Sequence, residues 1–411
     1  MNGLSRMTGR EGRLAPARLA GQARQRGQAT LPGPSASPKL RGRVSLRTVC
    51  ALSFSAMIGL CSCAMSAQRN DNQQSNKSSV EQEAAKPKTA IRKSAVSDPN
   101  KFALIVAGVG GEESYKKKFT AQALRLREVL TGQFGFAEKN VYLLTEVAAA
   151  GAEDGARESD AGASKPATAD EVRKAFAAIK SSANSESFVF VFLIGHGSFD
   201  NQQAKFNLVG PDLTAKDYAG LLGSLPTRRA VFVNCASSSG EFIKPLSAEG
   251  RIVITATRSG SEQNATVFAE HFIAGLTDFA ADADKNGRVS LLEAFTHASK
   301  LTADWYKQKN LLATEHALID DNGDGVGHEE ATGGDGSVAK LVFLDSKQLE
   351  EAGGDAELTK LIARRQQLEE AVEKLKGRKS EMKPEEYDAE LERLLVELAT
   401  VNQEIKAKQK K

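Results

Sequence analysis

Two residues in this chain stand where apolar runs stop and chemistry can start. FVFVFLIGHG ends on His196 and Gly197, and RRAVFVNC ends on Cys235, each followed by small residues (Gly197-Ser198; Ala236-Ser237-Ser238-Ser239-Gly240). A thiolate attacks carbonyl carbon and forms an acyl intermediate, and an imidazole takes up and returns protons near neutral pH. Together they fit covalent catalysis that needs no cofactor. A lone thiol is more often a small buried hydrophobe, but such a residue belongs inside an apolar run rather than at its polar exit. Small neighbours also let a substrate backbone come close.

A second pattern points to a cation. DADKNGRVSLLE, residues 282–293, fits a twelve-residue calcium loop. Asp282, Asp284 and Asn286 occupy positions one, three and five, and Gly287 makes the turn. Arg288 offers its carbonyl, Ser290 sits at position nine, and Glu293 closes the loop with a bidentate carboxylate. DDNGDGVG (320–327) repeats the first half with Asp320, Asn322, Asp324 and Gly325, but Ala331 stands at position twelve. A weaker calcium site, with Glu329 or Glu330 standing in, and a plain Asx turn are both open there. The expected cofactor is structural Ca2+.

These residues need a scaffold. FALIVAGVGG (102–111) is a continuous apolar run ending in glycines, the look of a strand buried on both faces. Phe119, Ala123, Leu126 and Leu130 follow at helical spacing. VYLLTE (141–146), the two runs above, GRIVITATRSG (250–260) and SVAKLVFLDS (337–346) predict further strands. Helical patterns lie between them, one opened by Thr168 and Glu171 in a capping box. Strands alternating with helices predict an α/β layer fold with a mainly parallel sheet. In such sheets ligands bind beyond the C-terminal strand ends, where His196 and Cys235 sit.

The Gly108-Val109-Gly110-Gly111 stretch lacks a Walker lysine and reads as a strand-end turn. His271 and His297 read as packing or surface residues; His316 and His328 flank the second acidic loop but lie too far apart to make a metal site by themselves; Trp305 reads as core. The tail carries two apolar repeats, Leu358 to Leu375 and Tyr387 to Ile405, separated by Pro384. It predicts a helical hairpin or coiled coil, for self-association or a helical partner, or else a solvated helix packed on its own domain.

Charge and cysteine usage narrow the class. The residues before Cys50 carry +9 of a net +3, leaving the rest at −6, which argues against nucleic acid as a partner. Cys50, Cys61 and Cys63 lie in one N-terminal apolar stretch, so no disulfide framework or Cys-rich zinc site exists beyond it. TVCALSFSAMIGLCSCAMSAQ (48–68) reads as an export signal, and Leu60-Cys61-Ser62-Cys63 as a lipobox that would tether the chain to a membrane through Cys63; plain cleavage after Ala64 or Ser66 is the alternative. The expected location is extracytoplasmic: periplasmic, membrane-anchored or secreted. Residues 1–67 form the basic extension and signal, 68–100 a polar linker, 101–346 the main domain and 347–411 the tail. Residues 147–167 read as an exposed, cleavable loop.

Strand-His-Gly-Ser, then strand-Asn-Cys-Ala-Ser some 40 residues on, resembles the caspase–hemoglobinase class of cysteine peptidases: legumain, caspases, gingipain and clostripain. The resemblance spans roughly residues 100–346 and is nearest to the legumain-like bacterial branch. It implies a three-layer α/β/α caspase-like fold and a cysteine endopeptidase acting on peptide or protein substrates. Cys235 would be the nucleophile, His196 the general acid/base, and the backbone N–H groups of Gly197 and Cys235 the oxyanion donors. It also implies a P1 pocket drawing on Thr257–Glu262, with Arg258, Ser259 and Glu262 reading the side chain; the alternative for Arg258 and Glu262 is a solvated surface pair. Asn234 or a backbone carbonyl would orient the imidazole. A catalytically inactive caspase-like binding module, recruiting a partner through its hairpin, and a calcium-dependent structural surface protein are the competing readings.

Overall fold

The computed structural model describes residues 96–146, 164–227, 229–332 and 334–409, all within one unit, Ala84–Lys411. The export signal, Cys63, nearly all of the polar linker and residues 147–163 lie outside the described residues. The elements in chain order are β1 (Lys101–Ala107), α1 (Glu113–Gly132), β2 (Val141–Thr145), β3 (Lys165–Pro166), α2 (Ala169–Ser182) and β4 (Phe188–Ile194). Then come β5 (Gly197–Phe199), β6 (Ala204–Phe206), β7 (Leu213–Thr214), α3 (Ala215–Gly223), β8 (Arg229–Asn234), α4 (Ile243–Leu246) and β9 (Arg251–Thr255). Last are α5 (Phe268–Gly275), α6 (Leu291–Gln308), β10 (Leu318–Asp320), α7 (Lys347–Glu351), α8 (Ala356–Gly377) and α9 (Pro384–Gln409).

Among the described residues, seven strands form one sheet in the order β10-β9-β8-β4-β1-β2-β3. All pairs are parallel except β9 with β10. Every residue of β1 and β8 is buried, as is all of β4 but Phe188. Continuous apolar runs are therefore required, because alternate side chains face two covered sides. On one side Ile105, Phe192, Val233 and Ile254 pack with α1, α5 and α6. On the other, Leu104, Val191, Phe232 and Val253 pack with α2, α3 and α4. This is the three-layer α/β/α architecture with a mainly parallel sheet that the sequence predicts.

Two expectations need correction. SVAKLVFLDS is not a strand: it holds a 3-10 turn at Ala339–Leu341 and one isolated bridge, Phe343 to Ser290. Its apolar residues Val338, Ala339, Val342 and Leu344 are buried against the α6 side. Burial alone explains the run, and a short apolar run does not distinguish strand from packed loop. The sheet's antiparallel edge is instead β10, which pairs with β9 ahead of the second acidic loop. Trp305 is half-buried against Tyr306, with ring centroids 5.0 Å apart, rather than a core residue.

The tail is a hairpin of α8 and α9 with its own apolar seam of Leu358, Ile362, Leu368, Val372, Tyr387, Leu394 and Val401. Pro384 begins α9, where its missing N–H costs no helical bond. The hairpin meets the sheet domain mainly through polar contacts: Arg229–Glu370 at 2.5 Å, Lys340–Glu373 at 2.5 Å and Lys374–Glu249 at 3.1 Å. A cavity of about 560 Å3 remains between α8 and the N-terminal strand ends. The Arg229–Glu370 pair is nearly dry, with 11% and 5% of the side chains exposed. Removing one partner of a buried pair is costly because the other charge stays behind. Glu370→Ala is expected to lower the unfolding free energy by about 3–5 kcal/mol, read from urea denaturation.

Candidate active site

β4 and β8 are adjacent and parallel, with Leu193 opposite Asn234. Cys235 is thus level with Ile194, the last residue of β4, and His196 follows a bend at Gly195. The His196 ring stands edge-on between Tyr115 and Phe119 of α1, at 5.0 and 5.2 Å between centroids. Cys235 belongs to the same buried apolar layer as Phe119, Val233, Ala256 and Phe268. The imidazole and the thiol therefore share one face of the sheet at the ends of neighbouring strands.

The thiol is closed off. Cys235 is 1% exposed, and burial pushes its thiol well above the ordinary value, the Glu315 carboxylate adding to the effect. Its amide completes the strand ladder by donating to Leu193 O at 2.9 Å. Its carbonyl accepts from Thr266 Oγ1 at 2.5 Å. Glu315 is itself 4% exposed; burial raises its carboxyl while amide donors oppose the rise.

Gly197 contacts Ser237 twice: its N–H donates to Ser237 Oγ, and Ser237 Oγ donates back to its carbonyl, both at 3.1 Å. A Cβ here would sit 2.4 Å from the Ser237 carbonyl oxygen, so only glycine fits. Gly108 is under the same constraint, 2.3 Å from Asn207 O. Both amides assigned to the oxyanion by resemblance are thus donated within the protein. The serines after Cys235 stitch rather than stay bare: Ser239 Oγ accepts from the Ala256 and Thr257 amides, and Ser238 Oγ donates to Gly260 O. Asn234 faces the opposite layer, between Phe232 and Ala236, and its side-chain carbonyl accepts from the Ala236 amide. It does not reach the imidazole, and among the described residues no hydrogen bond to the His196 ring is made.

The loop after β9 lies against the segment after Cys235, since a Cβ on Gly240 would fall 2.3 Å from the Arg258 backbone. Arg258 is exposed and bridges Glu262 and Glu329, each at 3.4 Å. Glu262 is turned inward: its carboxylate takes His316 Nδ1 at 2.5 Å, the His316 amide at 3.2 Å and the Arg258 amide at 2.9 Å. Arg258 can face a ligand; Glu262 is committed to the loop. Ser259 Oγ pairs with Ser261 Oγ at 2.7 Å.

Carboxylate oxygens of Asp282, Asp284 and Glu293 lie within 4.8 Å of one another. Gly287 takes φ +79°, and Asp282 accepts the Asn286 and Gly287 amides. Asn286 Oδ1 accepts the Arg288 amide, while the Arg288 side chain holds Asp345 through two bonds of 2.8 Å. Glu293 has a second employment: with Ser290 it forms the capping box of α6. The Ser-Leu-Leu-Glu spacing carries that signature in the sequence. In the second loop Asp320 accepts from Gly323 and Gly325, Asn322 bonds Asp324, and Glu329 points to Arg258. His328 pairs with Asp335 at 2.6 Å, whose carboxyl burial pushes up to about 6 despite that partner.

Sequence reasoning misses Tyr115, Ser237, Thr266, Glu315 and His316. Tyr115 and Phe119 form an aromatic pair four residues apart just after the first strand, which was a usable signal. Glu315 and His316 lie in an irregular segment that carries none.

No family model and no curated protein matches this chain. Among solved structures, it is similar to protein GSU0716 from Geobacter sulfurreducens, at 13% identity and TM-score 0.34, over 54% of this chain and 93% of that one. It is also similar to caspase-1 from Spodoptera frugiperda, at 12% identity and TM-score 0.34, over 56% and 90%.

The buried thiol gives a pH test. With a folded pKa above the unfolded one, native stability is full below about pH 8.5 and falls as pH rises, because the unfolded chain releases its proton first. Lys101, lowered to about 8 by burial, acts oppositely: it costs stability as pH falls through its folded range. The comparison is therefore with Cys235→Ala, whose urea midpoint should fall less between pH 8 and 10 than that of the parent chain.

Proposed function

We propose that this chain is an exported cysteine endopeptidase whose described state is closed. What supports this most is the shared face of His196 and Cys235 at adjacent strand ends. In an open state His196 takes the Cys235 proton, and the sulfur attacks the scissile carbonyl carbon. The tetrahedral species collapses as protonated His196 gives its proton to the leaving amine, leaving an acyl-enzyme. His196 then deprotonates water, which attacks the thioester; the acid leaves and the thiol is restored. The Gly197 amide, bonded to a side-chain hydroxyl rather than to the strand ladder, is the oxyanion donor closest to release. The Cys235 amide remains in the ladder. The exposed guanidinium of Arg258 favours an acidic or amide P1 side chain.

Tyr115 and Phe119 fix the plane of an imidazole that lacks a hydrogen-bonded orienter. The test is a peptide library with a thiol-reactive peptide probe. Cys235→Ala should abolish both cleavage and labelling, and His196→Ala should lower kcat/KM by about 10²–10⁴. A chain that cleaves nothing and ignores the probe would instead be a non-catalytic caspase-like module, the reading that the burial of Cys235 favours.

Structural calcium is part of the same proposal. Three carboxylates gathered on one turn repel unless a cation or hydrogen bonds hold them. Asp282, Asp284 and Glu293 would hold the ion, joined by Asn286 and the Arg288 carbonyl, and Asp320, Asn322 and Asp324 would form a weaker second site. Calcium at ten times its dissociation constant is worth about 1.4 kcal/mol, so the melting temperature should rise in Ca2+. Asp282→Ala should remove most of the rise, and an unchanged melting temperature in the parent chain sinks the calcium reading.

A further inference from the structure

Cys235 is buried, and its carbonyl is met by Thr266, part of a segment that follows β9 and is held by hydrogen bonds. From Thr257 to Val267 the backbone forms no helix or strand. Ser261, Gln263 and Asn264 are exposed, while Thr266 and Val267 are buried at the Cys235 carbonyl. Two consecutive residues of a distant segment fasten it. Glu315 accepts the Val267 amide at 2.8 and 3.1 Å and the Phe268 amide at 3.2 Å. His316 binds Glu262 through Nδ1 and through its amide. Glu262 in turn gathers the Arg258 amide, and its carbonyl accepts from the Ser238 amide at 2.8 Å.

We propose that Glu315 and His316 are an autoinhibitory clasp that holds Arg258–Val267 over Cys235 and is released before substrate can reach the thiol. This rests on Cys235 being the nucleophile. The bonds fall at two points of the cover: Glu315 pins its C-terminal end, and His316 pins its middle through Glu262. α5 has no capping side chain of its own at Val267, so Glu315, 48 residues away, supplies that role and couples the helix start to the cover. The clasp segment is as lightly built as what it holds. Residues 311–317 form no regular element, residues 307–313 are all exposed, and Leu312 is 89% exposed. Tyr306 OH to Thr314 Oγ1, 3.1 Å, ties this segment to the end of α6. Segments with few ladder bonds open without global unfolding, so the cover can lift while the sheet stays intact.

The test is iodoacetamide labelling of the full chain, resolved peptide by peptide so that only Cys235 is counted. Glu315→Gln, His316→Ala and the double variant are compared with the parent in 0 to 1 M urea. Labelling is expected to rise at least about tenfold in the double variant, with little dependence on urea, the sign of local opening. A rate within twofold of the parent overturns the clasp, as does acceleration that follows the full urea slope of global unfolding. Parent turnover equal to that of the double variant also overturns it and leaves the dyad standing. Fast labelling without peptide cleavage leaves the clasp standing and removes the dyad.

Discussion

Everything at the site depends on the parallel pairing of β4 with β8. That pairing puts Leu193 opposite Asn234 and carries one rung further, the Cys235 amide donating to Leu193 O. Once the rung is made, side-chain alternation fixes the face that Cys235 occupies, while His196, past the bend at Gly195, is placed by Tyr115 and Phe119. A slip of one residue in β8 would send Cys235 to the α2–α3 layer. Strands buried on both faces resist such a slip, since it would bring polar exit residues into the core. The chemistry is thus registered by the same apolar contacts that stabilise the domain.

Beyond the strand ends the kind of interaction changes. Few large apolar side chains hold the segments after β8 and β9; hydroxyls and carboxylates meeting backbone amides do. Ser237, Ser238, Ser239, Thr257, Glu241 and Glu262 each bond a neighbouring backbone. Close approach makes this possible, and glycines at 197 and 240 allow the approach. Small and hydroxyl-bearing residues after Cys235 therefore serve a lattice of bonds.

The central strands, the α/β layering and the positions of His196 and Cys235 were legible because burial on two faces writes a continuous run that stops where the strand stops. β5, β6, β7 and β10 were not, being two or three residues long with no period to read. SVAKLVFLDS misled for the converse reason: it is apolar because it is buried, and burial does not name a conformation. Glu293 was read as a loop ligand while its capping role, written in the same Ser-x-x-Glu spacing, went unread. Glu262 illustrates what one dimension cannot carry. It looks like a partner for Arg258 four residues earlier, and it is, at 3.4 Å, but its shorter contact is to His316, 54 residues on.

α6 joins the two polar regions that do not belong to the sheet. It starts at the Ser290–Glu293 box, inside the acidic loop, and ends just before the segment bearing Glu315 and His316. Its 18 residues span roughly 27 Å at 1.5 Å each. Its inner face, with Leu291, Phe295 and Ala298, is buried in the core, so both ends are held while the connections beyond them are irregular. A cover fastened by hydrogen bonds suits this position better than one fastened by apolar burial. Each neutral bond is worth only about 0.5–1.5 kcal/mol net, and those to charged groups about 1.5–3 kcal/mol. Exchange with water recovers most of the gross energy when the cover lifts. An apolar lid of the same area would have to expose its face to open.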